Sequence, residues 1–323
     1  MKFHKFHLLP AATPPMLATM TGRWLMGLAG FLAGLVGCVL LAVIEYGAWA
    51  LVLPPRGKQE TAPEPEVDAA GVFAMAADGV RLAGRLSLAI DGREPGRVAV
   101  LLHGFAEPSH ALQAERVEAL RRAGWDVAAI DLRGYGNSDG PFASFGGREV
   151  PDVTAWLDSL QARLGTETPI TPILWGRSMG AAIAVRAAAQ DPRIRAVILE
   201  SPMIDLVEAM AVWFRKRRFP LPRLFARVVI RRASGIAGVS LARPTALETA
   251  PRVHCPALIL HGDRDALVRT DQVRRLAESF PIPAPSIEVA GAGHTDVVTL
   301  GGEALLSQVT EFLREAIGSN EQG

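Results

Sequence analysis

The chain has almost no cysteine. Cys38 and Cys255 are the two among 323 residues, so no disulfide framework can organise it. Cys38 lies in an apolar run and Cys255 just ahead of a core strand. Both read as packing thiols, and they leave the redox compartment open. Lysine is nearly as scarce, confined to Lys2, Lys5, Lys58 and Lys216. The arginine and alanine bias that replaces it reflects nucleotide composition and carries no functional signal. Neither charge sign is in excess: the net charge of +1 removes any global argument for nucleic-acid binding, so charge arguments must be regional. His110, His254 and His261 have no spacing that argues for a metal site, no cofactor is expected, and no internal repeat is apparent. Apolar residues are plentiful at 49%, enough for one large domain with accessories.

The first long apolar run, Trp24 to Ile44, is 21 residues without a charge. At helical rise it covers about 31 Å, the thickness of a bilayer core, and it reads as a transmembrane helix. A cleavable signal peptide is the rival, since Ala48-Trp49-Ala50 resembles a small-x-small cleavage site. The run is longer than the usual signal core of about 7–15 residues, which favours a retained anchor. Trp24, Tyr46 and Trp49 stand near its ends, where aromatic rings prefer the headgroup layer. Lys2, Lys5 and Arg23 precede it, against Arg56 and Lys58 after it, which orients the N-terminus inward and the remainder to the extracytoplasmic side. The division expected is a tail and anchor over 1–53, a proline-rich linker over 54–70 and a globular domain over 71–318, with a cap insertion at about 201–251.

From Val72 the pattern alternates strand and helix. An opening hairpin, Val72–Ala76 and Arg81–Ile90, turns at Asp78-Gly79. Arg97–Leu102 is a nearly continuous apolar strand of the kind buried on both faces. Then come a helix over Leu112–Ala123, a strand over Val127–Ile130 and a helix over Val150–Leu164. After these lie strands at Ala196–Leu199, Ala257–Leu260 and Ser286–Val289, and helices at Asp271–Phe280 and Glu303–Ile317. The alternation implies an α/β fold, a mostly parallel sheet with helices on both faces.

The densest chemistry lies in Ile173–Ala189, a short apolar strand, a sharp turn and an alanine-rich helix. Gly176, Arg177, Ser178, Met179 and Gly180 satisfy GxSxG. A nucleophile on such an elbow is forced into strained backbone angles, and small neighbours keep other backbone from colliding with it. The helix that follows aims its free N–H groups at any oxyanion formed there.

Four stretches in order resemble the α/β-hydrolase superfamily over about Val72–Ile317. They are HGF at His103–Phe105, DLRGYGNSDG at Asp131–Gly140, GRSMG at Gly176–Gly180, and HGDRDALV at His261–Val268 followed by GAGHTD at Gly291–Asp296. The similarity is greatest to the monoacylglycerol-lipase, lysophospholipase and serine-aminopeptidase-like branch. It implies a nucleophile, acid and histidine in that chain order, namely Ser178, Asp265 and His294. Asp263 and Asp265 both follow one strand. The family's DxxV spacing, met before Val268, selects Asp265 and leaves Asp263 to order the turn. The chemistry agrees, because a serine hydroxyl needs a base, an imidazole serves at neutral pH, and a carboxylate fixes its tautomer. The resemblance also implies an oxyanion hole from the backbone N–H groups of Phe105 and Met179. His103, Asp131, Arg133 and Asp139 are expected to hold the turns beneath the site.

Substrate choice is expected in the cap insertion. Its segment Trp213–Arg232 carries eight basic residues and no acidic one, interleaved with Trp213, Phe214, Phe219 and Phe225. This composition suits a lid over an acyl pocket that can rest on anionic lipid headgroups, or an ordinary cap helix with solvated arginines. The expected activity is that of a membrane-anchored serine hydrolase on lipid-like esters or thioesters. A prolyl-type serine aminopeptidase is the alternative within enzymes, with Glu107 and Glu200 as candidate sites for a free amino terminus. A non-catalytic membrane-anchored binding protein is the alternative outside them. Nucleic acid is not an expected partner, and the sequence is silent on oligomeric state.

Overall fold

The structure, a computed structural model, describes residues 14–54, 69–90, 92–107, 114–164 and 169–318. Most of the linker expected over 54–70, the start of the helix expected at Leu112, and His110 lie outside these residues. The chain divides into two compact units, 1–46 and 47–323.

The first unit is most of a single helix, α1 (Pro14–Val52). Its stretch from Trp24 to Val52 is the one helix among the described residues that is long and apolar enough to cross a membrane. The last turns of α1 belong to the second unit, where Ala48, Leu51 and Val52 are buried. The Val52 carbonyl accepts a hydrogen bond from Ala143 N at 2.9 Å, and the Trp49 ring meets Phe142 with centroids 6.1 Å apart.

The second unit is built on one mostly parallel sheet. Its strands are β1 (Ala69–Met75), β2 (Arg81–Ser87), β3 (Arg97–Leu102), β4 (Asp126–Ile130), β5 (Thr171–Arg177), β6 (Ala196–Glu200), β7 (Ala257–Gly262) and β8 (Ser286–Val289). They form one sheet in the order β1-β2-β4-β3-β5-β6-β7-β8. β1 and β2 form the expected hairpin, and β2 also runs antiparallel to β4; all other pairings are parallel. The apolar runs of β4 and β6 are buried at every position, the signature of strands covered on both faces.

Helices α2 (Ala114–Arg122), α3 (Glu149–Leu164), α4 (Met179–Ala188), α8 (Thr270–Ser279) and α9 (Val297–Gly318) cover the faces. All ten residues of α4 are buried, which explains why the helix after the elbow is built from alanine and glycine. The cap insertion supplies α5 (Leu206–Lys216), α6 (Pro222–Ala237) and the short α7 (Ala246–Thr249). The final helix begins earlier than the expected Glu303. Gly302, at φ 55° and ψ −151°, breaks it into two segments, and the first was hidden behind the Gly301-Gly302 pair.

Candidate active site

The elbow between β5 and α4 carries Ser178 at φ 51° and ψ −109°, a conformation that costs a non-glycine residue on the order of 1–3 kcal/mol. The neighbours must be glycine because backbone presses on both. A Cβ on Gly176 would lie 2.3 Å from the Gly180 carbonyl oxygen, and one on Gly180 would lie 2.2 Å from the Leu102 carbonyl oxygen. The second approach brings the end of β3, and with it the HGF turn, onto the first turn of α4. Ser178 N is held by the Glu200 carbonyl at 2.9 Å, which ties the elbow to β6.

His294 Nε2 lies 2.9 Å from Ser178 Oγ, and His294 Nδ1 lies 2.7 Å from Asp265 Oδ2. The other oxygen of Asp265 accepts from Leu267 N at 2.7 Å and Val268 N at 3.0 Å, so both faces of the carboxylate are engaged and its direction is set. Asp265 is buried and His294 partly open, as a proton-shuttling ring requires. The His294 loop comes close to β7: a Cβ on Gly262 would sit 2.2 Å from the Ala292 carbonyl oxygen. Asp263 faces the other way, accepting from Gly291 N at 2.7 Å, and Asp296 accepts from Gly293 N at 2.6 Å. Three side chains from widely separated sequence are thereby brought into one hydrogen-bonded series.

Met179 N is the first amide of α4 and has no carbonyl one turn back within the helix to bond. On the facing turn, Gly104 N donates to Glu107 Oε2 at 2.7 Å. The Phe105 ring stacks on Phe145 with centroids 5.4 Å apart. His103 is buried, with Nδ1 2.8 Å from the Gly104 carbonyl and Nε2 accepting from Leu132 N at 3.1 Å. Burial holds its imidazole below the usual pKa, so it is a neutral pin between two turns. The DLRGYGNSDG turn is fixed in the same manner: Asp131 accepts from Asn137 N, and buried Arg133 ties Asp78 to Asp152. Asp139 pairs with Arg81 at the exposed end of the turn.

Two groups acquire roles that the sequence did not disclose. Arg177 Nε donates to Glu107 at 3.0 Å, and its Nη1 donates to the Thr295 carbonyl at 3.3 Å. One guanidinium therefore joins the elbow, the HGF turn and the histidine loop. Arg116 pairs with fully buried Glu200, its Nε at 2.8 Å, and Trp175 Nε1 donates to the same carboxylate at 3.1 Å. The expectation that Glu107 or Glu200 stands at the mouth to receive an ammonium group is corrected here, since Glu200 is sealed in the core and both are paired with arginine. A lone Arg at the second GxSxG position gave no hint of its partner, because Glu107 lies 70 residues away.

The cap aromatics gather on one another. Phe214 is buried between Trp213, Phe219 and Phe225, with centroid distances of 5.1, 5.1 and 4.9 Å. They lock α5 to α6, and Trp213 stays half-exposed beneath the Arg217 guanidinium, 3.5 Å from the ring centre.

A family model described as serine aminopeptidase, S33, matches residues 93–240. An uncharacterised protein of Mycobacterium tuberculosis is 30% identical over 241 residues, covering 74% of this chain and 76% of the relative. The lysophosphatidylserine lipase ABHD12 of Macaca fascicularis is 29% identical over 199 residues, 58% of this chain and 46% of that protein. Among solved structures, an esterase of Pyrococcus furiosus superposes with a TM-score of 0.66 at 24% identity, covering 82% of this chain and 98% of that one. The chain belongs to the α/β-hydrolase superfamily.

Proposed function

We propose that this protein is a membrane-anchored serine hydrolase that cleaves carboxylic esters or thioesters, lipid-like ones above all, through Ser178, His294 and Asp265. The observation that carries the reading is the Asp265–His294–Ser178 contact series at 2.7 and 2.9 Å, with the serine on a strained turn at the head of a buried helix. As Ser178 Oγ attacks the acyl carbon, its proton passes to His294 Nε2. The imidazolium is stabilised by Asp265. The carbonyl oxygen takes up negative charge against Met179 N and Phe105 N, a pair in which each donor typically contributes about 3–4 kcal/mol. Collapse returns the proton to the leaving alcohol or thiol, and an acyl group remains on Oγ. Water, deprotonated by the same ring, then releases the acid and regenerates the serine.

Several observations favour esters over a free peptide amino terminus. Glu107 and Glu200 are both consumed by arginine, so neither remains to bind an ammonium. A lipase and an esterase stand among the relatives and fold neighbours. The packing of Ala48 in the hydrolase unit favours a retained anchor, since cleavage after Ala50 would remove this buried residue. The charge asymmetry around the span supports an extracytoplasmic domain. The test is labelling with a fluorophosphonate probe, followed by a panel of p-nitrophenyl acyl esters against aminoacyl anilides. Labelling is expected in the wild type and absent in Ser178→Ala, with esters turned over preferentially. Folded wild-type protein that takes no label would instead support the non-catalytic binding protein, and preferential anilide turnover the aminopeptidase.

A further inference from the structure

Helix α6 has two apolar faces. One, through Ala226, Val229, Ile230, Ala233 and Ala237, is buried. On the opposite side Leu221, Leu224 and Val228, 69%, 54% and 40% exposed, form a second ridge at three- and four-residue spacing. Arg227 and Arg231 flank it and are exposed. The acid near this surface, Glu208 of α5, is already paired with Arg223 at 2.7 Å. An outward apolar ridge edged by arginine is costly in water, and suits the boundary between headgroups and acyl chains of an anionic bilayer.

A second observation is how near α6 lies to the end of the apolar span. Trp24 to Tyr46 covers about 35 Å at helical rise, enough for a bilayer core, so with α1 read as a span Gly47 follows at headgroup depth. Gly47 packs directly on α6, where a Cβ on it would lie 3.3 Å from Val229 Cγ1. The residue that follows the span thus packs on the buried face of the same helix whose other face is apolar and basic.

We infer that the outer face of α6 is a membrane-docking surface for anionic phospholipid, seating the hydrolase domain on the bilayer in addition to its anchor. The inference rests on the reading of α1 as a retained span and deepens the lipid-ester reading of the active site. Leu221, Leu224 and Val228 enter the acyl boundary while Arg227 and Arg231 contact phosphates.

The test uses the full chain in lipid nanodiscs, with Cys38→Ser and Cys255→Ala removing the native thiols. A bimane label is placed at Leu224→Cys, or at Ile282→Cys as the control, since Ile282 is 59% exposed elsewhere on the domain. In discs with phosphatidylglycerol and headgroup-depth spin-labelled lipid, quenching at 224 is expected to exceed that at 282 by roughly threefold or more, and to fall toward the control on adding Arg227→Gln and Arg231→Gln. Circular dichroism checks that each variant is folded. Equal quenching at 224 and 282, or quenching indifferent to the two arginines, overturns the inference. The readout does not depend on turnover. A docked domain that hydrolyses nothing would sink the hydrolase reading alone, and an active enzyme with a dry Leu224 would sink the docking alone.

Discussion

The elbow and the outer face of α6 are built under opposite constraints. Around Ser178, backbone meets backbone so closely that Gly176, Gly180 and Gly262 have no room for a methyl group, and the polar side chains nearby, His103, Arg177, Glu107 and Asp265, hold one another or backbone groups. On α6, Leu221, Leu224 and Val228 face outward and are exposed. The first region answers only to the protein's own interior. The second is unintelligible from the interior and makes sense only against an external partner. Substitutions at the rim should therefore damage folding or catalysis in any medium, while substitutions on the ridge should matter only where lipid is present.

The largest effect is expected at Gly180. Its missing Cβ would sit 2.2 Å from the Leu102 oxygen and 2.7 Å from the His103 oxygen, both backbone atoms that cannot swing aside. Gly180→Ala should cost about 3 kcal/mol or more, or displace the HGF turn and abolish turnover. Thermal unfolding and ester hydrolysis read the two outcomes. A variant with near-native stability and activity would mean that the rim is looser than its distances imply.

Next comes Arg177, which positions two loops without reaching the reacting atoms. Arg177→Met leaves Glu107 without its cation and Thr295 without its donor. The expected result is a kcat lowered about 10- to 100-fold with KM nearly unchanged, the pattern of a misaligned site rather than a lost binding contact. Arg177→Lys should recover part of kcat. A rise in KM alone would show instead that Arg177 binds substrate.

A smaller effect follows from His103. Burial holds its pKa below the unfolded value near 6.5, so the unfolded chain binds a proton that the folded chain refuses. The stability this contributes is complete above pH about 6.5 and is lost as pH falls from there through the folded pKa, at no more than about 1.4 kcal/mol per pH unit. The apparent Tm should drop between pH 7.5 and 5.5, and His103→Gln, which keeps a donor and an acceptor, should flatten that slope. An unchanged slope would assign the acid sensitivity to other groups.

The rim was legible in the sequence because its requirements are local. GxSxG, DxxV and the histidine after Gly293 each follow a strand, and strand ends of a parallel sheet converge on one edge. What stayed hidden was pairing over distance: the 70-residue reach from Glu107 to Arg177, the Arg116–Glu200 pair, and the burial of Ala48, Leu51 and Val52. Ala48-Trp49-Ala50 is ambiguous as a string, since small residues serve a cleavage site and a tight packing contact equally well. The cap aromatics were legible as a group but not in orientation. Composition marks an apolar cluster, while only the crossing of α5 and α6 decides that Phe214 faces inward and Leu224 outward.

The smallest expected effect is the one that most sharpens the contrast. In detergent, Leu224→Ser should change stability by no more than about 0.5 kcal/mol, because the side chain is more than half exposed. Val229→Ser, on the opposite face of the same helix and packed on Gly47, should cost about 2 kcal/mol by loss of buried apolar surface and burial of a hydroxyl. Thermal melts of the two variants decide it. If Leu224→Ser proves as destabilising as Val229→Ser, the ridge is part of the folded core, and the division between an inward-facing site and an outward-facing membrane surface fails at this helix.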